Sequence, residues 1–349
     1  MAGASSDPAV SRGDPGGGDA GPAIATQLRV GCQFDYESEG AVPAVMLVRA
    51  RPDGEHRTRY ESRWLEPDVP LREYVDGFGN LCWRFTLPGG PITIRYDAIV
   101  EVDRAPDPVV PDARQVPVED LPDETLVFTL PSRYVQSDLL IQDAWQLFGH
   151  TPPTWARVQA ICDWIHANVR YEAGSSGPAI TALDVYRERR GVCRDFALLS
   201  VALCRAMNVP AQYTFGYLPD IDVEPPDTAM DFHAWFEVYL DGRWYTFDAR
   251  HNRPRIGRVV IGRGRDAVDV ALTTTYGAAR LKQLTVWADE IGPGGVADTV
   301  SPASPGQPMQ LRHLAQPGPA AQLAGQFGAQ FGAQLGPPVA PAGRAEGVA

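Results

Sequence analysis

The sequence predicts an α+β protein in which a small antiparallel β unit precedes a region of helices and one polar-faced hairpin. Three observations carry that reading. Short β-prone runs (LRVGCQFDY, AVMLVRAR, RTRYESRW, LCWRFTL, ITIRYDAIVEV) fill the chain from Leu28 to about residue 103, separated by turn signals such as Phe78-Gly79-Asn80 and Pro88-Gly89-Gly90. Apolar residues then recur at spacings of three and four, the stripe of a helix that buries one face. Finally, Phe232, Ala234, Phe236, Val238 and Leu240 alternate with polar residues up to Asp241-Gly242, a two-residue hairpin signal.

Bulk properties narrow the class. At 349 residues and 37.9 kDa the chain has room for two domains. A net charge of -12 and a pI near 5.0 argue against a nucleic-acid binder, which carries a basic face. No apolar run approaches a membrane span, and the N-terminus lacks the basic region and apolar stretch of a signal peptide. Five cysteines, at 32, 82, 162, 193 and 204, form no CxxC pair and no even framework. The expectation is a reduced, cytoplasmic protein without a structural metal or cofactor.

Taken in order, residues 1–26 read as a disordered lead rich in Gly, Ala, Asp and Pro, and 27–104 as the N-terminal β domain. The Pro- and acid-rich segment 105–125 reads as a linker, and 126–290 as the second domain. There a helix is expected over 136–148 and another over 154–170, with Trp155, Val158, Cys162, Ile165 and Val169 on its inner face. Thr181 with Asp184 three residues on approximates a capping box, for a helix ending at Gly191. Asp195 to Met207 is strongly apolar at helical spacing and stops before Pro210. A strand over 212–218 and a polar loop over 219–230 lead to the hairpin. Residues 291–349 turn to Gly, Ala, Pro and Gln; their period of four (Leu323, Phe327, Phe331, Leu335) is too rich in glycine for a stable helix.

Thiol catalysis requires a nucleophilic sulfur, a base for its proton, and a group that fixes the base. Cys193 opens a predicted helix, where unpaired N–H groups and the helix dipole favour a thiolate, lower the thiol pKa and can hold an oxyanion. The two-residue turn sets Trp235 opposite Asp248 and His233 opposite residue 250. His233 and Asp248 are then diagonal neighbours on one face, about 7–8 Å apart at the backbone and within reach of a hydrogen bond. Singly, each has a blander reading. A cysteine in a helical stripe is usually a small core residue, as Cys162 and Cys204 are read here, and a histidine on a polar face is usually solvated. The three together, in this order, carry the catalytic reading.

At these residues the chain resembles a known family. GVCRDFALLSVALCRAMNVPAQYTFGYL followed by DFHAWFEVYLDGRWYTFDAR is similar to the bacterial transglutaminase-like superfamily of papain-like cysteine enzymes. The resemblance extends to LPSRYVQSD, WIHANVRYE and GRGRDAVDVA, covering roughly 126–290. It implies a papain-like core, with Cys193 as nucleophile, His233 as general base and acid, and Asp248 as orienting carboxylate. It further implies a protein or peptide substrate, acyl transfer through a thioester, and no cofactor. Hydrolysis is expected over crosslinking, because water is the abundant acceptor.

Two positions depart from the family pattern. Leu198 stands where many relatives have His, and Asp248-Ala249-Arg250-His251-Asn252 replaces Asp-Pro-Thr-Asn, so the turn must differ and His251 reads as a rim residue. Trp235 could shield the His–Asp bond, and Tyr171 or Trp164 could donate to an oxyanion. Arg253, Arg255, Arg258, Arg263 and Arg265 read as partners for the chain's own carboxylates. Two other functions stay open at this stage. One is a non-catalytic peptide-binding module, the other a metal site on His233, Asp248 and Cys193.

Overall fold

Strands form where the β-prone runs lie, and a computed structural model describing residues 25–226 and 228–292 shows how they pair. The first six are β1 (Ala25–Ser38), β2 (Val42–Met46), β3 (His56–Glu66), β4 (Arg72–Val75), β5 (Leu81–Leu87) and β6 (Gly90–Asp103). β4 went unread in the sequence because Arg-Glu-Tyr-Val is short and largely exposed. The expected disordered lead and tail lie outside the described residues, except that Ala25, Thr26 and Ile291 are strand.

The chain continues through α1 (Asp123–Leu126), α2 (Ile141–Phe148), α3 (Trp155–Asn168), β7 (Arg170–Tyr171), α4 (Ala182–Glu188), β8 (Arg190–Gly191) and α5 (Cys193–Ala206). It ends in β9 (Ala211–Tyr217), β10 (His233–Leu240), β11 (Arg243–Phe247), β12 (Val259–Gly264), β13 (Thr273–Thr275) and β14 (Arg280–Ile291). The stripe expected on α3 is buried throughout, from Trp155 to Val169. The helix expected over 136–148 begins as a 3-10 turn, Ser137–Leu140, and becomes regular only in α2. α4 has its capping box at Thr181 and Asp184, but it stops before Gly191. Arg189 takes the left-handed position (φ 58°), its guanidinium 4.4 Å from the Trp164 ring and 4.3 Å from the Tyr186 ring. Gly191 is needed for another reason: a Cβ there would lie 2.6 Å from the Asp195 Cβ.

Among the described residues, three four-stranded sheets and the two-stranded β7-β8 pair organise these elements. β11-β10-β9-β12 is an antiparallel sheet with its two middle strands fully buried. α5, buried along its whole length, packs against β9 and β10. Its two buried cations are satisfied: Arg194 pairs with Asp195 at 2.9 Å, and Arg205 donates to the carbonyls of Ala211, Leu130 and Arg265.

The other two sheets are β14-β1-β6-β3 and β13-β2-β5-β4. The last strands, which the sequence reading grouped with 126–290, therefore return to the N-terminal sheets. β14 runs antiparallel to β1 from Gln27↔Ile291 to Glu37↔Arg280, burying Leu284, Val286 and Ala288. Pairing between chain ends leaves no local trace, so periodicity could not assign it.

The N-terminal unit also touches the sheet that carries the candidate residues. Phe34 of β1 lies 6.3 Å from the Phe232 ring, and Tyr217 Oη donates to the Val48 carbonyl at 2.8 Å. Phe232 immediately precedes His233, so the β unit supports the start of β10.

Candidate active site

The hairpin forms in the register expected from its turn. Asp241 (φ 44°) and Gly242 (φ 82°) both take left-handed backbone, as a type I′ turn requires, and the ladder runs from Leu240↔Arg243 to Phe236↔Phe247. β11 ends there, which leaves Asp248 in the following turn. Its Oδ1 accepts from the backbone N–H groups of Arg250 (3.1 Å) and His251 (3.2 Å). These two bonds close the turn formed by Asp248-Ala249-Arg250-His251.

With Oδ1 committed to the turn, Oδ2 serves three side chains. It lies 2.8 Å from His233 Nε2, 2.9 Å from His251 Nδ1 and 3.1 Å from an Arg258 amino group. Arg258 also pairs with Asp107 at 2.9 Å. Burial alone would raise the Asp248 carboxyl, but His233, His251 and Arg258 hold it well below the usual range. Burial pushes the His233 imidazole down to about 4, against the pull of Asp248. At neutral pH the pair is thus a carboxylate and an uncharged imidazole.

The solvated setting usual for a histidine on a polar face does not hold for His233. It is 8% exposed, because that face is covered: Trp235 stacks against it at 6.2 Å, and the Arg258 guanidinium lies 4.9 Å from the Trp235 ring. Further along, Glu237 pairs with Arg263 at 2.8 Å. Four of the five arginines singled out in this segment therefore meet the chain's own carboxylates, through Arg255–Asp220, Arg258–Asp107, Arg263–Glu237 and Arg265–Asp269. The sequence reading did not foresee that one of these arginines would reach Asp248.

Cys193 is the first residue of α5, as read from the sequence. Asp195 fixes that helix start: its Oδ2 accepts from the Val192 N–H at 2.9 Å, while its Oδ1 takes Ser176 Oγ and Arg194, each at 2.9 Å. The thiol rests against the strand at His233's own position. It donates to the Phe232 carbonyl at 4.0 Å and receives the Ala234 backbone N–H. The expected lowering of its pKa is not what this setting gives. Burial, aided by Asp231, Asp195 and Asp248, pushes the thiol up to about 12. At a site this dry, desolvation of the thiolate outweighs the helix dipole.

The other sequence candidates separate. Trp164 packs between Phe148, Tyr186 and Arg189. Tyr171 stays near it: β7 pairs with β8 as Tyr171↔Gly191, two residues before Cys193. Cys162 and Cys204 are fully buried and unpaired, as read. His233, Asp248 and His251 form a group whose donor atoms lie within 4.8 Å of one another, a set able to hold a metal ion. His251 takes the place given to Cys193 in the metal reading, and Arg258 already occupies the shared carboxylate oxygen.

Asp231 is a site residue the sequence reading passed over as merely polar. Its Oδ1 accepts from the Phe232 N–H at 2.7 Å, and burial raises its carboxyl to about 7. Being raised, the group is neutral below about 7 and adds a charge beside the thiol only above it. Asp231→Asn is expected to speed Cys193 alkylation several-fold at about pH 9 and to leave it unchanged at about pH 5. Equal rates at both pH values would remove Asp231 from the electrostatics of the thiol.

The chain is similar to known proteins. A family model described as the transglutaminase-like superfamily matches residues 145–249, from α2 through the turn that holds Asp248. A crystal structure from Cytophaga hutchinsonii, described provisionally as a cysteine protease, is 33% identical with a TM-score of 0.71, over 77% of this chain and 92% of that one. An uncharacterized Mycobacterium leprae protein is 27% identical over 215 residues, 59% of this chain and 75% of the relative. The Homo sapiens kyphoscoliosis peptidase is 29% identical over 102 residues, 27% of this chain and 15% of that protein.

Proposed function

The chain belongs to the transglutaminase-like superfamily, and we propose that it is a cysteine-dependent hydrolase of amide or peptide bonds that works through a thioester. The observation that carries this is the buried 2.8 Å His233–Asp248 hydrogen bond beside a helix-start thiol. With Nε2 held by Asp248, the His233 Nδ1 lone pair is the proton acceptor. A thiol near 12 and an imidazole near 4 store no ion pair, so the proton must move as the bond forms. Cys193 sulfur attacks the carbonyl carbon and its proton passes to His233. The Cys193 backbone N–H, in the first turn of α5, faces the oxyanion. His233 then protonates the leaving nitrogen as the C–N bond breaks, which leaves an acyl-thioester. Water, deprotonated by His233, resolves it to an acid and the free thiol. The carboxylate of Asp248 keeps the imidazole in one tautomer and balances its charge when protonated. No cofactor enters these steps.

Proteins or peptides are the proposed substrates, a reading supported by the protease and peptidase descriptions of two relatives. The cytoplasm is the proposed compartment, supported by five unpaired cysteines. No helix among the described residues is long and apolar enough to cross a membrane. The test is release of ammonia or new N-termini from a peptide mixture by the wild-type protein and Cys193→Ala, with mass spectrometry for an acyl adduct on Cys193. Release and adduct in the wild type alone are expected. If the wild type yields neither, the 9% exposed thiol would instead favour a peptide-binding module on the same fold.

A further inference from the structure

Arg250 differs from four of the arginines that follow it. Arg255, Arg258, Arg263 and Arg265 each pair with a carboxylate, whereas the Arg250 guanidinium has no ion pair among the described residues. It lies instead over the Tyr171 ring, 3.9 Å from the centroid. This contact joins the two ends of the site. Tyr171 pairs with Gly191, just before Cys193, and the Arg250 backbone N–H is bound to Asp248 Oδ1 at 3.1 Å. Both side chains remain open, with Tyr171 43% exposed and Arg250 partly so.

In a chain of 43 acidic and 31 basic residues, Arg250 stacks on a tyrosine near the start of the Cys193 helix with no carboxylate paired to it among the described residues. Stacking on the phenol holds the guanidinium plane in place at little further entropic cost, leaving its N–H groups free to bind two oxygens. The partner that matches a fixed, planar, cationic fork is a carboxylate.

We propose that Arg250, laid over Tyr171, is an anchor for a substrate carboxylate close to Cys193, so that the preferred substrates carry an acidic side chain or free C-terminus near the attacked bond. This rests on Cys193 being the nucleophile, and the test keeps the two claims apart.

Iodoacetate and iodoacetamide differ only in carboxylate versus amide. In both reactions the Cys193 sulfur forms a bond to the methylene carbon, the C–I bond breaks, iodide leaves and the thiol proton is lost. Rates at Cys193 are read by peptide mass spectrometry, and the iodoacetate-to-iodoacetamide ratio in the folded protein is divided by that of the same peptide in unfolded protein. The wild-type quotient should exceed one and fall about tenfold in Arg250→Gln, as expected for one charge-assisted contact. Arg250→Glu should lower it further, and Arg250→Lys should fall between. A quotient in Arg250→Gln within twofold of wild type, with iodoacetamide still modifying Cys193, overturns the anchor alone. If neither reagent modifies Cys193 faster than the buried Cys162, the nucleophile and the anchor both fall.

Discussion

His233→Ala is expected to lower kcat/KM for an amide or peptide substrate by about 10³- to 10⁴-fold, with little change in KM. In the proposed mechanism the thiol held near 12 loses the imidazole that takes its proton, and the leaving nitrogen loses its acid. A second imidazole lies close, with the His251 ring 4.6 Å from that of His233. His251 binds the same carboxylate oxygen through Nδ1, so the two imidazoles compete for one orienting partner. The prediction therefore has a control: His251→Ala should keep most of the activity. If the two variants lose equal activity, the assignment of the base to His233 is wrong. The pH profile gives a second check. Because burial lowers the His233 imidazole to about 4, the free enzyme keeps its base well below the usual histidine range. Its kcat/KM should fall only as pH drops through about 4. An acid limb centred near 6.5 would mean that His233 is wetter than its 8% exposure indicates.

What the sequence made legible follows from the range of the interactions. The Asp241-Gly242 turn dictates its backbone, so the hairpin register and the approach of His233 to Asp248 could be read residue by residue. The burial stripe of α3 and the capping box of α4 are likewise local, and both formed. The neighbours that set the chemistry are not local. Arg258 reaches Asp248 only because β12 returns beside β9, and β14 reaches β1 from the far end of the described chain. The thiol pKa was misjudged for a related reason. A helix start is visible in sequence and argues for a thiolate. The burial that reverses the sign comes from packing of α5 against β10. On β10 the Trp235 cover over His233 could be read from the shared face, whereas the arginines that close the rest of that face, Arg258 and Arg263, arrive with a distant strand.

Asp248 carries structural weight beyond orienting His233, and its removal should separate stability from chemistry. Its buried carboxylate is the shared acceptor for His233, His251 and Arg258, and it also holds the turn through two backbone N–H groups. Asp248→Ala would leave the buried Arg258 with Asp107 as its remaining partner and two imidazoles without an acceptor. Breaking a buried pair from one side destabilises by about 3–5 kcal/mol, and a loss of that size is expected in urea unfolding at neutral pH. Asp248→Asn keeps its single amide oxygen as the acceptor for the turn and places an N–H donor where Oδ2 faced the side chains, so it should lose less stability than the alanine variant while still losing most turnover. The folded carboxyl lies well below its unfolded value. Its contribution is therefore complete above the unfolded pKa of about 3.9 and is lost as pH falls through the lower folded value. The stability gap between wild type and Asp248→Ala should accordingly stay constant from about pH 5 to pH 9. A gap that closes within that window, or an alanine variant as stable as wild type, would show that Arg258 and the two histidines do not depend on this carboxylate.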